Sequence, residues 1–437
     1  MKLYNKGDKR LLNAWAFYDW ANSVYPLVIS TAIFPIYYGF ITSENRYLNF
    51  LGYEFKNTAL ISFVTAFTFL VLVFITPLLS GIADFTGKKK TFMKFFCFLG
   101  SIATISLYWF DIDNLGIGLF FYFLAMIGFW GSLVFYNSYL PDIAFENQQD
   151  SISAKGYSLG YFGSVILLII NLVMVNFPEL FGIIGNDFIQ APLIAMKISF
   201  VTVGIWWFVF SLYTFYYLPE NSNNNKITKS VLYSGFSELK SVWQILKSHT
   251  YLKSYLFAFF IYSIALQTVI LVATYFGEQE ILWDEGEKTT GLIISILIIQ
   301  LIAILGSQLS AKLSSKYGNL NTLILLNIIW AMLCFYGYFI ETSNEFYLAA
   351  GLVGFVMGGV QALSRSTFSK FLPKTNNSTS FFSFYDVTQK TSIVIGMFLF
   401  GAIDQISGSM RSAMLFFVIF FVFGAILLYK LNKKTLS

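Results

Sequence analysis

Apolar residues run along this chain in long blocks separated by short polar stretches. The runs near 12–40, 58–83, 91–110, 115–140, 156–176, 198–218, 251–276, 290–312, 322–341, 345–372, 383–401 and 412–430 each approach the roughly 20 residues a helix needs to cross a bilayer core. Most breaks read as turns: "DFTGKKK", "DIDN", "GEQEILWDEGEK", "ETSN" and "DQISGS". One longer polar stretch, "LPENSNNNKITKS", divides the predicted helices six and six. The pattern predicts an all-α polytopic membrane protein of twelve transmembrane helices, with one six-helix half over 1–218, a linker over 219–250 and a second half over 251–437.

Composition sharpens the class. With 57% hydrophobic and 12% charged residues and a mean hydropathy of +0.66, the chain is more apolar than a soluble domain can bury. The first run follows "KGDKR" and lacks a small-residue cleavage site, so it reads as a retained helix and not a signal peptide. Orientation follows from the cations. With the N-terminus inside, 23 of the 28 Lys and Arg fall on inner segments, leaving Arg46, Lys56, Lys197, Lys288 and Arg411 outside. Both termini and the linker are therefore expected to be cytoplasmic, and the net charge of +5 needs no nucleic-acid partner. In the linker, Phe236, Leu239, Trp243 and Leu246 recur at helical spacing beside Lys229, Lys240 and Lys247. That spacing predicts an amphipathic helix on the inner membrane surface that ties the halves together.

Several function classes drop out. There is no G-x-x-x-x-G-K-[ST] loop, so the chain is not expected to use ATP. His249 is the only histidine, and Cys97 and Cys334 lie in apolar runs of different halves. No catalytic residue, metal site or cofactor is expected, and the chain is not expected to be an enzyme.

The loop "GIADFTGKKK" carries a recognisable pattern: Gly81, Asp84 and Gly87 precede Lys88, Lys89 and Lys90. Gly81 permits close helix approach, Asp84 can accept from a helix N-terminus, Gly87 suits a tight turn, and the lysines favour the inner side. This loop resembles the conformational motif of the major facilitator superfamily. "AWAFYDWANSVY", "FYNSYLPDIA", "SAKGYSLGYFGS", "GGVQALSRSTFSKFLP" and "FFSFYDVTQK" together resemble its vacuole-effluxer-like branch, which includes fungal vacuolar amino-acid effluxers and bacterial permeases. The resemblance implies the twelve-helix major facilitator fold, with the first, fourth, seventh and tenth helices lining a central cavity.

The chemistry lies in charges inside the predicted helices. Such charges cost about 2.5–3.5 kcal/mol at a bilayer centre and usually face a partner or a cavity. Asp19, within "WAFYDWANSVYP", lies about 10 Å inward of its helix midpoint. Arg365 lies at a similar depth in the tenth helix, and Asp386 and Lys390 stand four apart on one face of the eleventh. Three readings follow. The four charges form a cytoplasmic gate; or Asp19 and Arg365 hold the ammonium and carboxylate of a zwitterion, with Trp15, Tyr18, Asn22 and Gln361 shaping the pocket; or they form structural pairs. Asn137 is a further cavity candidate at the end of the fourth helix. Gly156, Gly160 and Gly163, like Gly354, Gly358 and Gly359, read as packing faces.

The sequence therefore predicts a secondary transporter working by alternating access, moving amino acids or similar zwitterions, with protons as a candidate coupling ion. A sugar, nucleoside or drug-like cation is the alternative cargo, and a non-transporting receptor or scaffold the alternative class. The expected partners are a small solute and the lipid bilayer, the expected state is a monomer, and the expected location is a bacterial inner (plasma) membrane.

Overall fold

The computed structural model describes residues 5–43, 47–185, 190–220, 231–284, 287–375 and 377–436. Arg46 and Lys229 lie outside these residues, as do the side-chain positions of Lys56, Phe236 and Leu239. Eleven helices among the described residues are long and apolar enough to cross a membrane. The twelfth predicted helix is α14 (Ser378–Ser407), thirty residues long, whose apolar character is diluted by Asp386 and Lys390.

The first crossing is composite. α1 (Lys9–Asn22) is capped by Asp8, whose carboxylate accepts from the Arg10 N–H at 2.7 Å. A π-helical stretch, Tyr25–Ile33, follows and leads into α2 (Phe34–Ile41). Pro26 near its start has no N–H for the α-helical ladder, and the turn widens, with Thr31 Oγ1 donating to the Pro26 carbonyl at 2.9 Å. A short hairpin, β1 (Tyr47–Phe50) with β2 (Tyr53–Lys56), follows. Its two-residue turn places Leu51 and Gly52 at φ +52° and +82°, a mirror-image turn of the kind that matches strand twist.

The rest of the first half is α3 (Asn57–Thr86), α4 (Lys89–Ser106), α5 (Leu115–Ser138), the short α6 (Leu140–Ile143), α7 (Glu146–Asn176) and α8 (Gln190–Tyr217). The second half holds α10 (Thr250–Glu280), α11 (Lys288–Tyr317), α12 (Asn319–Gly337), α13 (Ser343–Phe371), α14 and α15 (Met410–Leu436). Buried apolar side chains gather in two large clusters, one between Leu11 and Leu218 and the other drawn mainly from the chain after Val242. Close helix approach depends on glycine. A Cβ on Gly358 would meet the Ala303 backbone across α11 and α13.

The linker helix α9 (Val231–Ser248) packs against α3, α10 and α14. It buries Val242 and Leu246 and stacks Trp243 on Phe384 at 5.6 Å. It is thus seated on both halves of the bundle. The end of the bundle that carries α9 also holds both termini: Gly7 N–H donates to Ile143 at 2.7 Å, and the Tyr251 hydroxyl donates to the Lys434 carbonyl at 3.0 Å. We call this the linker end. At the far end, Lys197 pairs with Asp111 at 2.8 Å, Lys288 with Glu278 at 3.8 Å and Arg411 with Glu280 at 2.9 Å.

Candidate functional site

Asp19 and Arg365 meet where the two halves join. The Arg365 guanidinium, reaching out from α13, makes five hydrogen bonds, all to the first half. Two go to Asp19 Oδ2 at 3.2 Å, one to Asn137 Oδ1 at 3.3 Å, and one each to the Ser153 hydroxyl and carbonyl at 2.9 Å. A guanidinium has five N–H donors. Asp19 also accepts from the Tyr136 hydroxyl at 2.8 Å. The guanidinium carbon sits 4.8, 5.5 and 4.2 Å from the ring centres of Trp15, Tyr136 and Tyr157. Burying two charges costs several kcal/mol per ion and is tolerated only where further hydrogen bonds and a close counter-charge compensate. Both conditions hold here, with the two side chains 3% and 7% exposed. The aromatic faces add cation–π attraction.

Small residues and aromatics shape this site. A Cβ at Gly156 on α7 would run into Asp19 Oδ2 and come within 3.0 Å of Arg365 Nη2, so glycine there leaves room for the pair. Trp15 is held by its indole N–H, which donates to the Tyr136 carbonyl at 2.9 Å, and by stacking on Tyr136 at 4.6 Å. Tyr18 turns away from the pair into the core of the first half, against Tyr136 and Phe215. Further from the linker end, Gln361 accepts from the Tyr161 hydroxyl at 2.6 Å. Asn22 is buried, and its Nδ2 has no hydrogen-bond partner among the described residues.

Asp386 and Lys390 do not join this centre. They pair with each other along α14, and Asp386 also takes a 3.4 Å hydrogen bond from Thr76 of α3. Lys390 lies 5.7 Å from the ring of Trp130. The four embedded charges thus form two separate pairs, one bridging the halves and one within a single helix.

Nearer the linker end, further contacts cross between the halves. Asp150 of α7 pairs with Lys370 at 2.6 Å and accepts from Asn319 at 2.7 Å and Ser314 at 3.1 Å. Asp84 accepts from the backbone N–H groups of Thr379 and Ser380 at 3.3 and 2.6 Å, placing a carboxylate at the positive end of α14. Lys89 pairs with Asp142 and donates to Ser378 at 3.1 Å. Gly81 is buried in α3, Gly87 makes the turn at φ +69°, and Lys88 is the residue preceding α4. From this layer up to Tyr161 and Gln361, the halves are joined and the linker end is closed.

Asp150, Ser153, Tyr157 and Lys370 also belong to this region, although the sequence pattern does not single them out. Asp150 had a visible signal, an acid near the start of a membrane helix within "NQQDSISAKG". Replacing Asp150 by Asn strips Lys370 of its counter-charge at the partly exposed edge of the layer, a loss of about 1–2 kcal/mol. A cysteine at the buried Ala362 is then expected to react with a maleimide about tenfold faster; an unchanged rate would count against a closing role for Asp150.

The two six-helix halves, joined at one end around an intramembrane charge pair, define a transporter of the major facilitator class. Solved structures show the same fold. The transporter FucP in its outward conformation aligns with TM-score 0.70 and 15% identity over 97% of this chain and 98% of its own. The proton:xylose symporter XylE gives TM-score 0.72 and 14% identity over 96% and 95%. The family model described as "Vacuole effluxer Atg22 like" matches residues 7–435, and the chain belongs to that family. An uncharacterized MFS-type transporter, YxiO of Bacillus subtilis (strain 168), is 30% identical over 435 residues, covering 100% of this chain and 97% of that one. Autophagy-related protein 22 of Pichia angusta is 26% identical over 417 residues, 82% of this chain and 72% of that protein. The protein is therefore a multi-pass membrane transporter and not an enzyme.

Proposed function

We propose that the protein moves amino acids or similar small zwitterions by alternating access and that Asp19 and Arg365 form its cytoplasmic gate. The observation that carries the gate reading is the complete commitment of Arg365 to the first half: all five hydrogen bonds cross the interface, leaving no donor for a solute while the end is closed. The excess of Lys and Arg at the linker end supports its assignment to the cytoplasm, and the full-length bacterial relative supports a bacterial plasma membrane. Amino-acid cargo is supported by the kinship with vacuole effluxers. Asn22, one helical turn beyond Asp19 and holding an unpartnered Nδ2, is a donor suited to a solute carboxylate near the midplane.

The test is a thermal-stability screen of purified protein against amino acids, sugars, nucleosides and organic cations. A ligand at 100 times its dissociation constant adds about 2.7 kcal/mol to the folded state. An amino acid is expected to stabilise the protein, and Asn22→Ala to weaken that response; stabilisation by a sugar or cation alone would displace the amino-acid reading. Proton coupling is tested separately. Asp19→Asn is expected to abolish transport driven by a pH gradient, and a variant retaining it would remove the proton role.

A further inference from the structure

A cavity of about 350 Å³ opens at the linker end, away from the gate, between the last turn of α9, the first turns of α10 and the last turns of α15. Lys247, Lys253, Lys430 and Lys434 line it together with Ser254, and no acidic side chain is among its lining residues. Its apolar wall is Phe257, Leu427 and Leu431. Among the described residues, Lys247, Lys253 and Lys430 make no ion pair, whereas the far-end cations Lys197, Lys288 and Arg411 each have a carboxylate. The N-terminus of α10 adds the positive end of a 31-residue helix to the same space.

Depth identifies the ligand. α10 is about 46 Å long at 1.5 Å per residue, so it exceeds a hydrocarbon core of about 30 Å by roughly 8 Å, or five residues, at each end. Thr250 to Ser254 therefore fall at headgroup level, and Phe257, 51% exposed, lies where acyl chains begin. Lysines clustered above an apolar wall at that level match a phosphate joined to a hydrocarbon tail more closely than a free anion.

We propose that this cavity binds the phosphate headgroup of an anionic phospholipid from the cytoplasmic leaflet. The headgroup sits among Lys253, Lys430, Lys247 and Lys434, and the acyl chains descend along Phe257 and Leu427. Bound there, the lipid bridges the linker helix to α10 and α15 and supplies a negative charge beside Lys247, Lys253 and Lys430.

The experiment titrates purified protein in detergent with phosphatidylglycerol, phosphatidylcholine or inorganic phosphate and follows melting temperature. Phosphatidylglycerol is expected to raise it saturably, with the other two giving no comparable rise. Lys253→Gln/Lys430→Gln is expected to weaken half-saturation by about tenfold or more, while Lys433→Gln, outside the cavity, retains the wild-type response. Equal responses to the two lipids, or an unaltered response in the double variant, would overturn the site. A response to inorganic phosphate matching that to phosphatidylglycerol would overturn the lipid assignment. None of these readouts depends on the transported solute.

Discussion

Replacing Arg365 by Gln is expected to open the linker end and stop net transport. In the closed arrangement the substitution leaves Asp19 buried and without its counter-charge, with Tyr136 as its remaining donor. Removing one partner of a buried ion pair costs about 3–5 kcal/mol. In an open arrangement Asp19 faces water and avoids most of that cost. The closed form is therefore disfavoured by about 10²- to 10³-fold relative to the open one, and the cycle stalls on one side. Maleimide labelling of a cysteine at position 362 should accelerate by that factor, and uptake into proteoliposomes should fall to background. Arg365→Lys is expected to rescue poorly, because an ammonium has three donors and no planar fork to reach Asp19, Asn137 and Ser153 together.

Gly156→Val is expected to give nearly the same result without removing any charge. The new Cβ runs into Asp19 Oδ2 and lies 3.2 Å from the Tyr136 hydroxyl, and valine adds two methyls beyond it. Overpacking alone costs about 1–3 kcal/mol, and displacement of the carboxylate from Arg365 adds to it. Ala at this position should give an intermediate effect. The measurement is again labelling at position 362, together with the melting temperature. A large drop in melting temperature with no change in labelling would mean that Gly156 serves packing within the first half and not the gate.

The twelve crossings were legible because a bilayer demands long apolar runs, and eleven of the corresponding helices also satisfy that demand in the structure. The starts were harder to read. The fifth apolar run starts at 156, whereas α7 begins at Glu146. Its first turns, "ENQQDSISAK", look like a loop by hydropathy. They are helical because Gln149, Asp150 and Ser153 are buried, with Asp150 and Ser153 bonded to the second half. Hydropathy cannot distinguish a polar residue facing water from one facing a partner helix.

The candidate site was legible in depth but not in direction. Asp19 and Arg365 could be placed at one level from helix length alone, yet their pairing across 346 positions depends on how the halves dock. The same limit puts Lys390 and Asp386 with them on sequence alone: spacing of four shows a shared helix face, not that this face points at α3 and Trp130. Tyr18 illustrates the converse, since a residue adjacent to Asp19 in sequence points about 100° away around the helix. The π-helical stretch was hidden because Pro26 signals an interrupted ladder without stating how the backbone resolves it.

The most direct test of the gate is a distance distribution between spin labels at the exposed Glu146 and Lys374, on opposite halves at the linker end. Wild type is expected to show a short distance corresponding to the closed layer, and Arg365→Gln a shift of the population to a longer one. Identical distributions in the two proteins would contradict the claim that the Asp19 and Arg365 pair holds the transporter closed.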